Sequence, residues 1–142
     1  MAFYEYQLIL GVRLPLHPFV RDVLRCYKIT LGQLIVNGWR VVLSSFALWA
    51  QAGNGELTAE EFLRMFRLKK APSSEGWYYL CYWHRDNFVL GKPSSNYPGW
   101  RKRWFYASGN WESASSRGPG VTRFFCEGRH NLTLCSFLQL RF

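Results

Sequence analysis

Acidic residues are scarce in this chain, and aspartate is the scarcest of them. Of nine acidic residues, only Asp22 and Asp86 are aspartates. A two-metal phosphoryl-transfer centre of the integrase kind needs three carboxylates, and the retroviral-type spacing after Asp86 leads to Thr122 where a glutamate is required. The Asp-Thr-Gly or Asp-Ser-Gly of a retroviral-type protease and the Asp-Asp of a polymerase are also missing. The sequence therefore predicts a protein that is not an enzyme.

Cysteine is sparse and irregularly spaced, at positions 26, 81, 126 and 135. The spacing from His130 to Cys135 matches the end of a zinc knuckle, but Cys126 is one residue too close to His130 and the first cysteine is missing. A structural zinc site takes four ligands, so we expect no metal and no cofactor. Sparse cysteines are typical of a reducing compartment, which predicts an intracellular protein, in the nucleus or the cytoplasm.

Long hydrophobic runs are missing as well. The best apolar helical stretch, 41–50, is much shorter than a membrane span. The first eleven residues contain Glu5 and lack both the basic start and the cleavage site of a signal peptide. We therefore expect no membrane partner.

Basic and aromatic residues, by contrast, are abundant. Eighteen lysines and arginines give a formal net charge of +9, and aromatic residues make up 18% of the chain. Such a charge suits a polyanionic partner, which makes nucleic acid a candidate. A chain of 142 residues has room for one domain with a hydrophobic core and hardly for two.

Helical periodicity dominates the first half of the chain. A helix over 18–27 begins with a proline, which suits the first helical position. The capping box Thr30–Gln33 predicts a single turn, and Asn37 is suited to cap a longer, mostly buried helix that ends before Gly53. The first segment, Phe3–Leu10, fits either a short helix or a strand.

A third helix is predicted from the capping box Thr58–Glu61. Phe62 and Phe66 belong to its apolar stripe, and its last turns carry Lys69 and Lys70, where a helix dipole favours cations. We prefer this structural explanation of the two lysines to a role in binding nucleic acid.

Residues typical of strands follow. The stretch GWYYLCYW predicts a strand, 84–87 a turn, 88–90 the returning strand of a hairpin, and 103–107 a third short strand. On the first strand, one side would carry Trp77, Tyr79, Cys81 and Trp83. Helices before strands predict an α+β fold, with N-terminal helices packed on a small antiparallel, aromatic-rich sheet.

Three adjacent cations precede the third strand. If 101–106 is extended, Arg101 and Arg103 share one face with Phe105, while Lys102 shares the other with Trp104. Cations and rings are then mixed on both faces, whereas a platform that stacks single strands would separate them. This favours a structural role for the run, in which a loop is anchored to the sheet by Trp100, Trp104 and Trp111.

Several blocks occur in an order that resembles a known family. They are GVRLPLHPFVRDVL, QLIVNGWRVV, LTAEEFLRMFRLKK, GWYYL and KPSSNYPGWRKRWFYASGNWE. From about Gly11 to Glu112 they resemble the plant domain called the putative gypsy-type transposon, or transposase-like, domain. The resemblance implies a retroelement-derived protein without an established enzymatic activity. We expect this domain over 1–112 and a divergent tail over 113–142, which a truncated or mis-spliced reading frame would explain.

Two hypotheses for function follow. The preferred one is a noncatalytic interaction or assembly module that associates with itself or with a protein partner. The alternative is a nucleic-acid-binding module, and its candidate binding residues are Lys69, Lys70, Arg101, Lys102 and Arg103.

Overall fold

Helices and short strands interleave along the chain in a computed structural model that describes residues 2–72, 75–83, 98–108 and 123–125. The elements are β1 (Ala2–Tyr4), α1 (Glu5–Ile9), α2 (Pro18–Tyr27), α3 (Val36–Gln51), α4 (Ala59–Met65), β2 (Phe66–Lys70), β3 (Tyr78–Tyr82), β4 (Trp104–Ser108) and β5 (Arg123–Phe125), with 3-10 turns at Leu31–Gln33 and Trp100–Lys102. The architecture is α+β, with helices and small antiparallel sheets, as the sequence predicts.

The strands form two small antiparallel sheets. One has the order β1-β4-β5, and the other is the pair β2-β3. In the pair, Phe66 lies opposite Tyr82 and Lys70 opposite Tyr78. The same register continues beyond both ends, because Trp83 N–H donates to Met65 O (3.2 Å) and Ala71 N–H to Trp77 O (2.9 Å).

The first segment, which the sequence left open between helix and strand, contains both. Gln7 is fully buried; its side-chain oxygen accepts from Tyr4 N–H (2.7 Å) and its amide donates to Leu31 O (2.8 Å). Tyr6 donates its hydroxyl hydrogen to Leu34 O at 2.6 Å, and burial raises the pKa of this phenol. Buried polar groups need such partners, so these bonds fix α1 against the turn at Leu31–Gln33.

The helix over 18–27 is confirmed. Pro18 occupies its first turn, and the His17 imidazole accepts a hydrogen bond from Phe19 N–H at 3.3 Å through Nδ1. Lys28 follows in a left-handed conformation with φ 55° and ends the helix.

The predicted cap of α3 is wrong. The helix begins at Val36 with Ile35 as its N-cap, and the Asn37 side chain instead accepts a bond from Arg40 at 3.3 Å. Gly38 allows a close approach to the preceding turn, since a Cβ there would lie 2.5 Å from Cδ1 of Leu34.

The predicted third helix is correct at its start and wrong at its end. The capping box of Thr58 and Glu61 is present, but α4 ends at Met65 and the chain continues as β2. The sequence of β2 alternates apolar Phe66 and Leu68 with cations, which suits a half-buried strand. Pairing with β3 satisfies backbone groups of both strands. Lys69 and Lys70, which the sequence places at the end of the third helix, therefore lie in β2, and the helix-dipole explanation for them is wrong.

The core joins the helices to both sheets. Ring contacts run from Phe19 through Phe62 and Phe66 to Tyr82, with centroid separations of 5.7, 4.8 and 4.7 Å. At the other sheet Phe3 of β1 packs on Phe105 of β4, at 5.2 Å. The largest fully buried side chains include Trp39, Phe3, Phe62 and Phe105.

The strand predicted at 103–107 is present as β4, at 104–108. It pairs with β1 on one side and with β5 on the other, where Ser108 lies opposite Arg123. The predicted turn and returning strand at 84–90 lie outside the described residues; the strand that pairs with β3 is β2. Among the helices of the described part, none is long and apolar enough to cross a membrane.

Candidate nucleic-acid interface

The β2-β3 ladder has two chemically different faces. Leu68, Leu80 and Tyr82 pack against the core on one side. Strand alternation assigns the intervening residues to the other side, which we call the outer face. It consists of Arg67, Lys69, Tyr79, Cys81 and Trp83, whereas Trp77, which alternation would add, packs against the core. The outer face thus contains basic and aromatic side chains, and neither strand contributes an acidic residue.

At one end of the outer face, Arg67 lies over Trp83. The guanidinium carbon is 5.5 Å from the ring centroid, within the range of a cation–π contact. Trp83 is 51% exposed, yet its indole N–H donates to Leu63 O at 2.9 Å. The ring is therefore exposed to solvent, and it is held in place by Arg67 over one face and by the hydrogen bond at its edge.

At the opposite end, Trp77 belongs to an aromatic cluster. Its ring packs edge-on against Trp100 (4.7 Å) and Tyr4 (5.3 Å). Arg101 lies over both tryptophans, with its guanidinium carbon 5.4 Å from the Trp77 centroid and 5.2 Å from that of Trp100. Burial raises the pKa of the Tyr4 phenol, and the charge of Arg101 opposes that rise. The cluster holds a fixed, exposed cation beside the end of the ladder.

The five predicted binding residues do not all lie together. Lys69, opposite Tyr79, lies on the outer face, whereas Lys70 lies on the other side of β2. Arg101 and Lys102 are exposed on the 3-10 turn. Within the described part of the chain, no salt bridge involves Lys69, Lys70 or Lys102. Arg103, by contrast, pairs with the Glu5 carboxylate at 3.1 Å.

The backbone around the cation run differs from the predicted one. Gly99, with φ 74°, starts a 3-10 turn over Trp100–Lys102, and the strand begins only at Trp104. Face alternation therefore does not apply to Arg101 and Lys102, and the predicted scatter of cations over two faces is wrong. The anchoring role holds for Trp100, which is buried, while Trp111 lies outside the described residues.

Arg67, Tyr79 and Trp83 were not predicted as site residues. Local periodicity predicts a helix at Arg67, and the sequence pattern pairs the strand of Tyr79 and Trp83 with 88–90. The sequence signal for them is the alternation of apolar residues and cations in 66–70, which is typical of a strand. Pairing that strand with the aromatic strand places cations beside rings.

No group of three or more His, Cys, Asp or Glu among the described residues could hold a metal ion. Asp22 pairs with Arg21 (3.5 Å) and Arg25 (3.8 Å) on α2. Asp86 and the zinc-knuckle candidates Cys126, His130 and Cys135 lie outside the described residues.

Fold and site together define a small α+β domain with a basic, ring-lined surface. Residues 2–70 match the family model described as putative gypsy type transposon. This match supports a gypsy-type transposon-like domain and confirms the resemblance seen in the sequence over residues 11–70. The match begins before Gly11 and ends at the end of β2. No curated protein and no solved structure was found to match the chain.

Proposed function

We propose that this chain is a noncatalytic, intracellular nucleic-acid-binding module of a retroelement-derived protein, of the plant kind that its sequence resembles. One observation carries the proposal. Trp77 joins two basic segments that are distant in sequence, because its carbonyl accepts from Ala71 N–H directly after Lys70 (2.9 Å), and its ring lies under Arg101 (5.4 Å).

The charges around Trp77 support this function. Lys69 on the outer face and Lys102 on the turn are exposed and form no salt bridge within the described residues, so their ammonium groups are free to meet phosphates. Arg101 is held on two rings, which reduces the entropy that it would lose on binding a phosphate. Neutralised phosphates release counterions, and this release dominates the affinity of basic proteins for nucleic acid.

The test is the salt dependence of binding. Fluorescence anisotropy with a labelled oligonucleotide, at several salt concentrations, compares the parent with the triple variant Lys69→Ser, Arg101→Ser, Lys102→Ser. If all three cations touch phosphates, the slope of log affinity against log salt should flatten by about 2 for a single strand and up to about 3 for a duplex.

A matched control removes the same charge elsewhere. Arg13, Arg25 and Lys28 are exposed cations on and flanking α2, and their triple serine variant should keep most of the parent's slope. Equal losses in both triple variants would mean that net charge alone attracts the oligonucleotide, and the assignment to the surface around Trp77 would fail.

A second function, assembly, is favoured by a different surface. The chain has no charged residue from Val41 to Gln51 in α3, and Ser44, Ala47 and Leu48 are exposed there. On a chain of net charge +9, such a face lets two copies approach with the least repulsion. Light scattering after size exclusion, with and without RNA, tests this. Assembly is supported if the parent forms a dimer without RNA, and if Leu48→Asp dissociates that dimer while Ile9→Asp does not.

A further inference from the structure

The outer face of the β2-β3 ladder has the parts of a surface that stacks bases. Trp83 presents an exposed ring, its indole N–H donates to Leu63 O at 2.9 Å, and Arg67 covers it from one side. Because a ring has two faces, the exposed remainder can accept a second planar group. Tyr79 lies on the same side of β3, directly opposite Lys69.

We infer that this outer face binds single-stranded nucleic acid by stacking bases on Trp83 and Tyr79, while Arg67 and Lys69 contact the backbone. This inference rests on the proposed nucleic-acid binding and adds the class of strand and the residues that recognise it. Rings supply contacts to any base, and neighbouring cations follow the phosphates, which is the general design of surfaces that bind single strands.

The spacing of the rings suits an open strand. Tyr79 lies in β3 and Trp83 directly follows that strand, and four residues of extended backbone place them about 13 Å apart. The residue between them on this face is the half-buried Cys81, which contributes no ring and no charge. The bases of a duplex are stacked on one another, so their ring faces are not available and only their edges face the grooves.

The charge of the face fits a polyanion. It carries Arg67 and Lys69 and no acidic residue from either strand. A two-stranded ribbon can also enter the major groove of DNA. If the ladder bound in that way, the protein would have a higher affinity for duplex than for single-stranded DNA. The exposed, fixed ring of Trp83 favours stacking, because groove reading uses polar side chains at base edges.

Three probes separate stacking from charge. They are a labelled oligothymidylate of about 15 nucleotides, an abasic strand of the same length, and a duplex of the same length. The double variant Tyr79→Ala, Trp83→Ala should lose at least about fivefold affinity for oligothymidylate. It should bind the abasic strand and the duplex within about twofold of the parent, because the phosphates and cations are unchanged.

Two further variants guard against unfolding and nonspecific loss. Trp83→Phe keeps a ring and should retain oligothymidylate binding within about threefold, and Ile9→Ala removes a different exposed apolar side chain (60% exposed) and should change nothing. A double variant that binds oligothymidylate as the parent does, or that loses affinity equally for all three probes, overturns the inference, although the parent's salt-dependent binding would still support the proposed function. A parent that binds none of the probes overturns both.

Discussion

Arg101 lies over the ring of Trp77, with its guanidinium carbon 5.4 Å from the ring centroid. The contact joins a 3-10 turn to the end of the β2-β3 ladder, since Trp77 also bonds to Ala71 through its backbone. An exposed arginine usually samples many rotamers, and stacking on two indoles restricts it. The basic surface of this domain is therefore built by tertiary contacts and is only partly visible as runs of cations in the sequence.

The packing of α4 and β2 yields the first prediction. Phe62 and Phe66 are 0% and 2% exposed and contact each other at 4.8 Å. Phe62→Ala or Phe66→Ala should destabilise the fold by about 3–5 kcal/mol, because each leaves a cavity in the core. Denaturant unfolding measures this, with the exposed Leu48→Ala as a control that should stay within about 0.5 kcal/mol of the parent. Parent-like stability of Phe66→Ala would contradict the burial of β2.

The second prediction concerns Gly38 in α3. Alanine is favoured over glycine in a helix by about 1 kcal/mol, but here its Cβ would lie 2.5 Å from Cδ1 of Leu34. Gly38→Ala should therefore lower the thermal midpoint of the parent. In a Leu34→Ala background the same change should be neutral or stabilising, because the clashing atoms are gone. Equal effects in both backgrounds would contradict this contact.

How much of this the sequence could predict depends on the range of the interactions involved. Helix α2 and the start of α4 follow from local chemistry, a proline at the first helical position and a capping box, and both were predicted. The change from helix to strand at Phe66 depends on pairing with β3, so local periodicity placed Lys69 in a helix. The contact of Arg101 with Trp77 depends on the turn after Gly99, which a strand pattern cannot represent. Tertiary context decided these cases.

The third prediction is a pH dependence at the capping box. The Glu61 carboxylate accepts from the Thr58 hydroxyl (2.7 Å) and the Thr58 N–H (2.9 Å), and these hydrogen bonds lower the pKa of Glu61 in the folded protein. A lowered folded-state pKa contributes stability that is complete above the unfolded pKa, about 4.3, and is lost as pH falls through the folded pKa.

The measurement is the thermal midpoint against pH. The parent should be more stable than Glu61→Gln at pH 6, and the difference should shrink as pH falls below about 4. Glu56→Gln, which removes an exposed carboxylate outside the capping box, controls for lost charge. A difference between the parent and Glu61→Gln that does not change with pH would contradict the assignment.

The fourth prediction concerns the segment 113–142. Its described part is β5, which among the described strands pairs with β4 alone. Because β4 also pairs with β1, we expect a chain that ends at Glu112 to keep a cooperative thermal transition, at a lower midpoint than the full chain. Differential scanning calorimetry of both chains measures this. A truncated chain without a cooperative transition would make the segment part of the folding unit.

The central claim is that the outer face and the turn at Trp100–Lys102 together bind nucleic acid. The most direct measurement is an NMR titration of the ¹⁵N-labelled full chain with a single-stranded oligonucleotide, which follows backbone amides and tryptophan indole N–H signals. If this surface binds the strand, signals of Lys69, Tyr79, Arg101 and the Trp83 indole shift first, while those of Ser44 to Gln51 in α3 stay in place. Shifts confined to α3, or none at low salt, would contradict it.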